Sequence, residues 1–197
     1  QLRWLADRGH AVALAAPPGG VIARRAEEAG ILLYPIVFHG QFDPHAILRA
    51  RRAVSAHGAE IVDCHGSRDG AAFAFARGLC PVVRSRHISQ PLKGNLRRRL
   101  MWRWGCDHVI ATAKCVKLGL VDAGLVPSDR VTVIGEWAAD AFFDTSRRQE
   151  HRATVRREFS IPDKCPVVSV IGMVRDDKAQ DVLIHTVDEM RRRGRPI

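Results

Sequence analysis

The stretch EIVDCHGSRDGAAFAFARGLCPVVRSRH, residues 60–87, decides the fold. It opens on an apolar run over 60–64 and passes through a small polar loop. A helix-like segment follows over 69–79, and a second apolar run closes it over 81–87. Strand, helix and strand in so short a span read as a parallel β-α-β unit, since parallel strands need a crossover connection.

The alternation extends outward in both directions. Toward the N-terminus, apolar runs over 11–16 and 31–38 read as strands, and 21–29 and 44–57 as helices, with stops at Gly30 and Gly58 and Pro44 at a helix start. Toward the C-terminus, strands are expected over 107–112 and 130–134 and helices over 96–104 and 114–123. Near-continuous apolar strands are what a sheet covered on both faces requires. The fold class is therefore α/β: a doubly wound, Rossmann-like parallel sheet. Composition shifts near 136–145, a charged helix is expected over 146–159, and a fresh unit follows with a strand over 166–172 and a helix over 177–193. This divides the chain into an N-terminal Rossmann-like domain over 1–145, a charged linker helix over 146–164, and the start of a second Rossmann-like domain over 165–197. The chain opens inside a helix-like run and closes on Arg195-Pro196-Ile197, where another strand is expected to begin. With no initiator Met and no signal peptide, it reads as an excised fragment whose first strand is missing.

Composition narrows the function classes. Hydrophobic residues make up 46% of the 197 and charged residues 26%, a globular balance that excludes disorder. No apolar stretch is long enough to span a membrane. The five cysteines, at 64, 80, 106, 115 and 165, form no CxxC pair, so neither a zinc ribbon nor a disulfide scaffold is expected, and they read as buried thiols in a reducing cytosol. The formal charge of +10 points to anionic partners. No nucleic-acid-binding module is recognisable, and nucleic acid is not expected as a partner. Neither the GxGxxG fingerprint nor the GxxxxGK[ST] loop occurs, which removes the main support for NAD or ATP; no cofactor is expected.

In open α/β sheets ligands bind beyond the carboxyl ends of the strands. Three such loops carry chemistry. The first is Cys64-His65-Gly66-Ser67-Arg68-Asp69-Gly70, whose amides suit an anion or a sugar hydroxyl, or whose Ser67 or Asp69 merely caps the helix. The second, Arg84-Ser85-Arg86-His87-Ile88-Ser89, places a histidine where it can donate a hydrogen bond or serve as acid or base. A histidine on each of two neighbouring loops shifts the balance towards a site. The third runs from Gly172 through Arg175 to Lys178; its two cations can neutralise a diphosphate or form a solvated turn.

Between Arg84 and Gly105 there are seven Arg or Lys and no acid. The helix inside that stretch carries Leu96, Leu100 and Trp104 on one face, with Arg97, Arg98, Arg99 and Arg103 around them and Trp102 nearby. It is suited to an anionic lipid surface, or equally to a core-facing stripe with solvated arginines.

Taken in order, these segments resemble the family 4 glycosyltransferases, which have two Rossmann-like domains. Leu5-Ala6-Asp7-Arg8-Gly9-His10-Ala11-Val12 is similar to the end of the family's first helix, and Ile61-Val62-Asp63-Cys64-His65 to its DIVHxH strand. Arg86-His87-Ile88-Ser89 corresponds to the segment whose histidine lies beside the transferred sugar, and Asp107 to Thr112 to the strand before an acceptor-side helix. Val131 to Ile134 with Asp140 to Phe143 resembles the VIPNGVDxxxF crossing, with Gly135-Glu136-Trp137 in place of Pro-Asn-Gly. Gly172 to Lys178 is similar to the GRLxxEKG motif, with Ala179 where glycine is usual.

The resemblance implies an acceptor-side first domain and a second domain that binds a nucleotide-sugar. It implies retaining transfer of a sugar from a nucleotide-sugar donor to a saccharide or lipid-linked acceptor, most naturally in bacterial cell-surface polysaccharide synthesis. Arg175 and Lys178 are then expected to stabilise the leaving diphosphate without a metal, and His87 to hydrogen-bond the sugar. His65 with Gly66, Ser67, Arg68 and Asp69 shapes the acceptor side, and Gly172 lines the donor side. The implied location is cytoplasmic, peripheral on the inner membrane face. The family's glycine-rich loop and most of its second domain would lie outside this chain, so the fragment alone is expected to be inactive. The alternative is a non-catalytic basic domain that binds anionic membranes or polyanions; a Rossmann epimerase is disfavoured by the missing fingerprint.

Overall fold

The computed structural model describes residues 1–195 apart from Ser89, Pro91, Lys93, Gly94 and Ala139. Ser89 and the Pro196-Ile197 end, both invoked above, lie outside the described residues. The chain divides into two compact units, 1–137 and 138–197.

The first unit begins with a short helix α1 (Leu2–Ala6), then β1 (Ala13–Ala16), α2 (Val21–Glu28) and β2 (Leu32–Pro35). Next come α3 (Pro44–His57), β3 (Val62–Cys64), α4 (Ser67–Phe73) and β4 (Val82–Arg86). The unit ends with α5 (Leu96–Arg103), β5 (His108–Ala111), α6 (Lys114–Asp122) and β6 (Val131–Val133). Among the described residues every strand pairing is parallel, as the sequence predicts. The strands form a two-stranded sheet, β1-β2, and a four-stranded sheet in the order β3-β4-β5-β6, in place of one continuous sheet.

Helix α3 shows how local sequence builds this layer. Asp43 accepts hydrogen bonds from the backbone N–H of His45 (2.9 Å) and Ala46 (3.2 Å), Pro44 occupies the first turn, and Gly58 closes the helix at φ +62°. Ala46, Ala50, Ala53 and Val54 share its buried face at helical spacing. Their small side chains pack into a core with Ile36, Phe73, Val82, Trp102, Val109, Leu120 and Val131. Helix α4 starts two residues earlier than expected and gives way after Phe73 to a 3-10 turn, Ala74–Ala76, so the expected helix over 69–79 is shorter and split.

Three cysteines, Cys64, Cys80 and Cys106, are buried as expected, whereas Cys115 is exposed and Cys165 partly so. Burial pushes the Cys64, Cys80 and Cys106 thiols up, which keeps them protonated.

The second unit holds α7 (Arg148–Glu158), a 3-10 turn over Asp176–Lys178 and α8 (Gln180–Arg192). Arg156 is buried and its guanidinium donates to the carbonyls of Pro162 and Cys165, tying the end of α7 to the segment that follows. The strand expected over 166–172 does not form: those residues are exposed and belong to no sheet among the described residues. An isolated strand has no ladder to satisfy its backbone groups, so solvent keeps them.

Candidate functional site

Parallel register brings two loops to one edge. Cys64 at the end of β3 pairs with Arg84, and Arg86 at the end of β4 pairs with Ala111 on β5, which pairs in turn with Val133 on β6. The residues just beyond these ends therefore share the carboxyl edge of the sheet. There Nδ1 of His65 lies 2.9 Å from Nε2 of His87, edge to edge, with the ring planes 16° apart and their centroids 5.1 Å apart.

Each imidazole is held from its other side by a carboxylate. Nε2 of His65 lies 3.2 Å from Oδ2 of Asp63, and Nδ1 of His87 lies 2.8 Å from Oε1 of Glu136. Ser85 donates its hydroxyl to Asp63, 2.9 Å from Oδ1. The hydrogen bond to Asp63, with its charge, lifts the pKa of His65 above its ordinary value against the opposing effect of burial. Burial pushes Asp63 up, but hydrogen bonds from His65 and Ser85 and the charge of His87 outweigh it and hold the carboxyl below its usual range. His65 and His87 were legible as candidates; Asp63, Ser85 and Glu136 were not singled out as site residues.

The loop after β3 is shaped by Asp69. Its Oδ2 accepts from the backbone N–H of His65 at 3.0 Å and of Gly66 at 2.9 Å, so this carboxylate organises the turn, as the capping alternative required. Arg68 reaches back with Nη1 to the Phe38 carbonyl at 3.4 Å, and Ser67 begins α4 exposed. Beneath the loop, Arg84 is buried, its guanidinium stacked on Trp102 with Nη2 3.5 Å from the Gly66 carbonyl. A Cβ on Gly70 would come within 2.7 Å of that guanidinium, so any larger residue there must displace it.

In the second unit, Gly172 lies beside Lys178, whose Cγ is 4.0 Å from where a glycine Cβ would stand. Arg175 immediately precedes the turn Asp176–Lys178. Helix α8 starts at Gln180, three residues later than expected, because Ala179 adopts the left-handed conformation at φ +53°.

On α5, capped by Asn95 through the Arg98 N–H at 2.9 Å, the arginines at 97, 98, 99 and 103 are exposed, as are Leu96, Leu100 and Trp104. Trp102 is a correction to the expected surface: it is 7% exposed, turned into the core under Arg84, and presents nothing to a membrane. Among the described residues no group of three or more His, Cys, Asp or Glu side chains could hold a metal ion, and no helix is long and apolar enough to cross a membrane.

The family model described as Glycosyltransferase Family 4 matches residues 1–136. No curated protein matches the sequence significantly. Among solved structures, a glycosyltransferase from Rickettsia africae ESF-5 is 16% identical, with a TM-score of 0.71 over 84% of this chain and 45% of that one. Anabaena Alr3699/HepE, in complex with UDP and glucose, is 17% identical, with a TM-score of 0.74 over 95% of this chain and 52% of that one. The chain thus spans about half the length of each, and at these identities the likeness shows the fold.

Proposed function

The chain belongs to glycosyltransferase family 4, and on that premise we propose that the whole protein transfers a sugar, with retention, from a nucleotide-sugar donor to a saccharide or lipid-linked acceptor in bacterial cell-surface polysaccharide synthesis. The observation that carries this reading is the paired His65 and His87, anchored by Asp63 and Glu136 at the carboxyl edge of the parallel sheet. Imidazoles fixed at a strand edge suit recognition of sugar hydroxyls, which both donate and accept. A fold relative that holds UDP and glucose supports a nucleotide-sugar donor.

His87 is assigned to the transferred sugar, and His65 with the Gly66–Asp69 loop to the acceptor. Arg175 and Lys178 are assigned to the leaving diphosphate, where fixed cations act most on charge that grows in the transition state. Residues 1–145 form the acceptor-side domain in this reading, 146–164 a linker helix and 165–197 the start of the nucleotide-sugar-binding domain. The test is product formation by the complete protein, with a panel of radiolabelled nucleotide-sugars and a membrane extract as acceptor source. Transfer abolished by His87→Ala supports the reading; no transfer from any donor, or transfer indifferent to His87, overturns it.

A second proposal concerns location. Leu96, Leu100 and Trp104 are exposed by 75%, 59% and 50% beside four exposed arginines, which favours peripheral contact with an anionic inner membrane face.

A further inference from the structure

Three contacts run in line across the sheet edge. Asp63 Oδ2 meets His65 Nε2 at 3.2 Å, His65 Nδ1 meets His87 Nε2 at 2.9 Å, and His87 Nδ1 meets Glu136 Oε1 at 2.8 Å. An ionised carboxylate only accepts, so the nitrogen facing it carries the hydrogen: Nε2 on His65 and Nδ1 on His87. Two neutral rings fixed in this way turn bare lone pairs towards each other at hydrogen-bond distance, which is repulsive. Every contact needs a hydrogen, and two neutral imidazoles leave the central one without any.

We propose that Asp63, His65, His87 and Glu136 form one line that holds a single extra proton between the two rings, with Glu136 the positioning residue for His87. Asp63 sits on β3, Asp69 on α4 adds its charge on the His65 side, and Glu136 follows β6, so three carboxylates surround the pair. The nearest cations on β4 are turned to backbone carbonyls, Arg84 to Gly66 and Arg86 to Gln90. The balance favours the protonated pair, and the two rings titrate as a unit.

The consequence is a site whose acceptor capacity depends on proton occupancy. With the proton in place, both inner nitrogens are occupied with each other. When it leaves, the lone pairs repel, the rings part, and Nε2 of His87 becomes free to accept a hydrogen bond from a sugar hydroxyl. That last step rests on the transferase reading; the shared proton does not.

The test is a side-chain 15N NMR titration of the 197-residue chain without any ligand. The expected result is one joint step for His65 Nδ1 and His87 Nε2, above the ordinary imidazole value of about 6.5. Glu136→Gln, which can still accept from Nδ1, should lower that step by about one pH unit, a tenfold loss of proton affinity. His65→Gln should abolish the joint step, with amide spectra reporting that both variants remain folded. Independent titration of the two rings near 6.5, or a step unmoved by Glu136→Gln, overturns the shared proton whatever the protein transfers. A joint step in a whole protein that transfers no sugar leaves the line standing and removes the transferase use of it.

Discussion

Arg84 lays its guanidinium carbon 4.2 Å from the centroid of the Trp102 ring, with both side chains more than nine-tenths buried. A buried arginine with no carboxylate against it among the described residues needs another source of stabilisation, and the face of an indole supplies one worth about 2 kcal/mol or more when water is excluded. The pair ties β4 to α5 directly under the loop that carries His65. It therefore couples the stability of the core to the shape of the candidate site.

The first prediction follows from that contact. Trp102→Ala should destabilise the chain by about 3–5 kcal/mol through the cavity it leaves and the stranded cation. Trp102→Phe keeps an aromatic face and should cost clearly less. Urea denaturation followed by circular dichroism checks both. Equal losses in the two variants would show that a retained aromatic face contributes nothing.

Gly70 provides an independent probe of the same guanidinium. An added methyl would come within 2.7 Å of the Arg84 Cζ, Nε and Nη2 atoms, and stacking on Trp102 prevents an easy retreat. Gly70→Ala should cost about 1–3 kcal/mol, as overpacking of a filled core does. Combined with Arg84→Met it should cost less than the sum of the two single changes. Additivity in that double-mutant cycle would contradict the contact.

The pH dependence of stability has a defined sign. The pKa of His65 is raised on folding, so its contribution is complete below the ordinary imidazole value of about 6.5 and is lost as pH rises through the folded value. That of Asp63 is lowered, so its contribution is present above about 3.9 and is lost as pH falls through the folded value. The stability gap between the wild type and Asp63→Asn should therefore be widest between about pH 4 and 6.5 and narrow on both sides. Denaturation midpoints at pH 3, 5 and 8 measure it, and a gap that grows towards pH 8 would refute the assignment.

The proposed membrane face has its own test. Leu96→Ser with Leu100→Ser removes exposed apolar area outside the core, so folding should be unaffected while co-sedimentation with anionic vesicles weakens. Moderate salt should release the wild type, because surface attraction is screened over about 10 Å at 0.1 M. Undiminished vesicle binding by the variant would place the contact elsewhere.

How much of this was legible in the sequence depends on whether a feature has local causes. The cores of β3 to β6 fall inside the runs read as strands because each contributes apolar residues to the sheet's core, although only β4 is buried along most of its length and β6 is buried at Val131 alone. The run over 166–172 has the same composition but no neighbouring strand among the described residues, and composition cannot supply one. His65 and His87 could be found because strand ends are predictable places. Glu136 could not: it meets His87 from 49 residues away, and a lone acid in a loop has no pattern. Trp102 and Trp104 differ by two positions, which turns them to opposite sides of α5, one into the core and one to solvent. Ala179 shows why glycine is usual at its position, since the backbone there is left-handed at φ +53°.

The final prediction concerns Arg175 and Lys178 in the complete protein. Arg175 immediately precedes the turn Asp176–Lys178, which begins four residues after Gly172, and Lys178 ends that turn and packs beside the glycine. If they act on charge that develops as the sugar–phosphate bond breaks, their contribution is greater in the transition state than with bound donor. Arg175→Ala and Lys178→Ala should then lower kcat more than they raise the donor KM, each by roughly a hundredfold, or about 3 kcal/mol. Steady-state kinetics with saturating acceptor separates the two parameters. A loss confined to KM would make them binding residues, since interactions equal in ground and transition states do not accelerate chemistry. Near-normal turnover in both variants would remove the diphosphate role altogether.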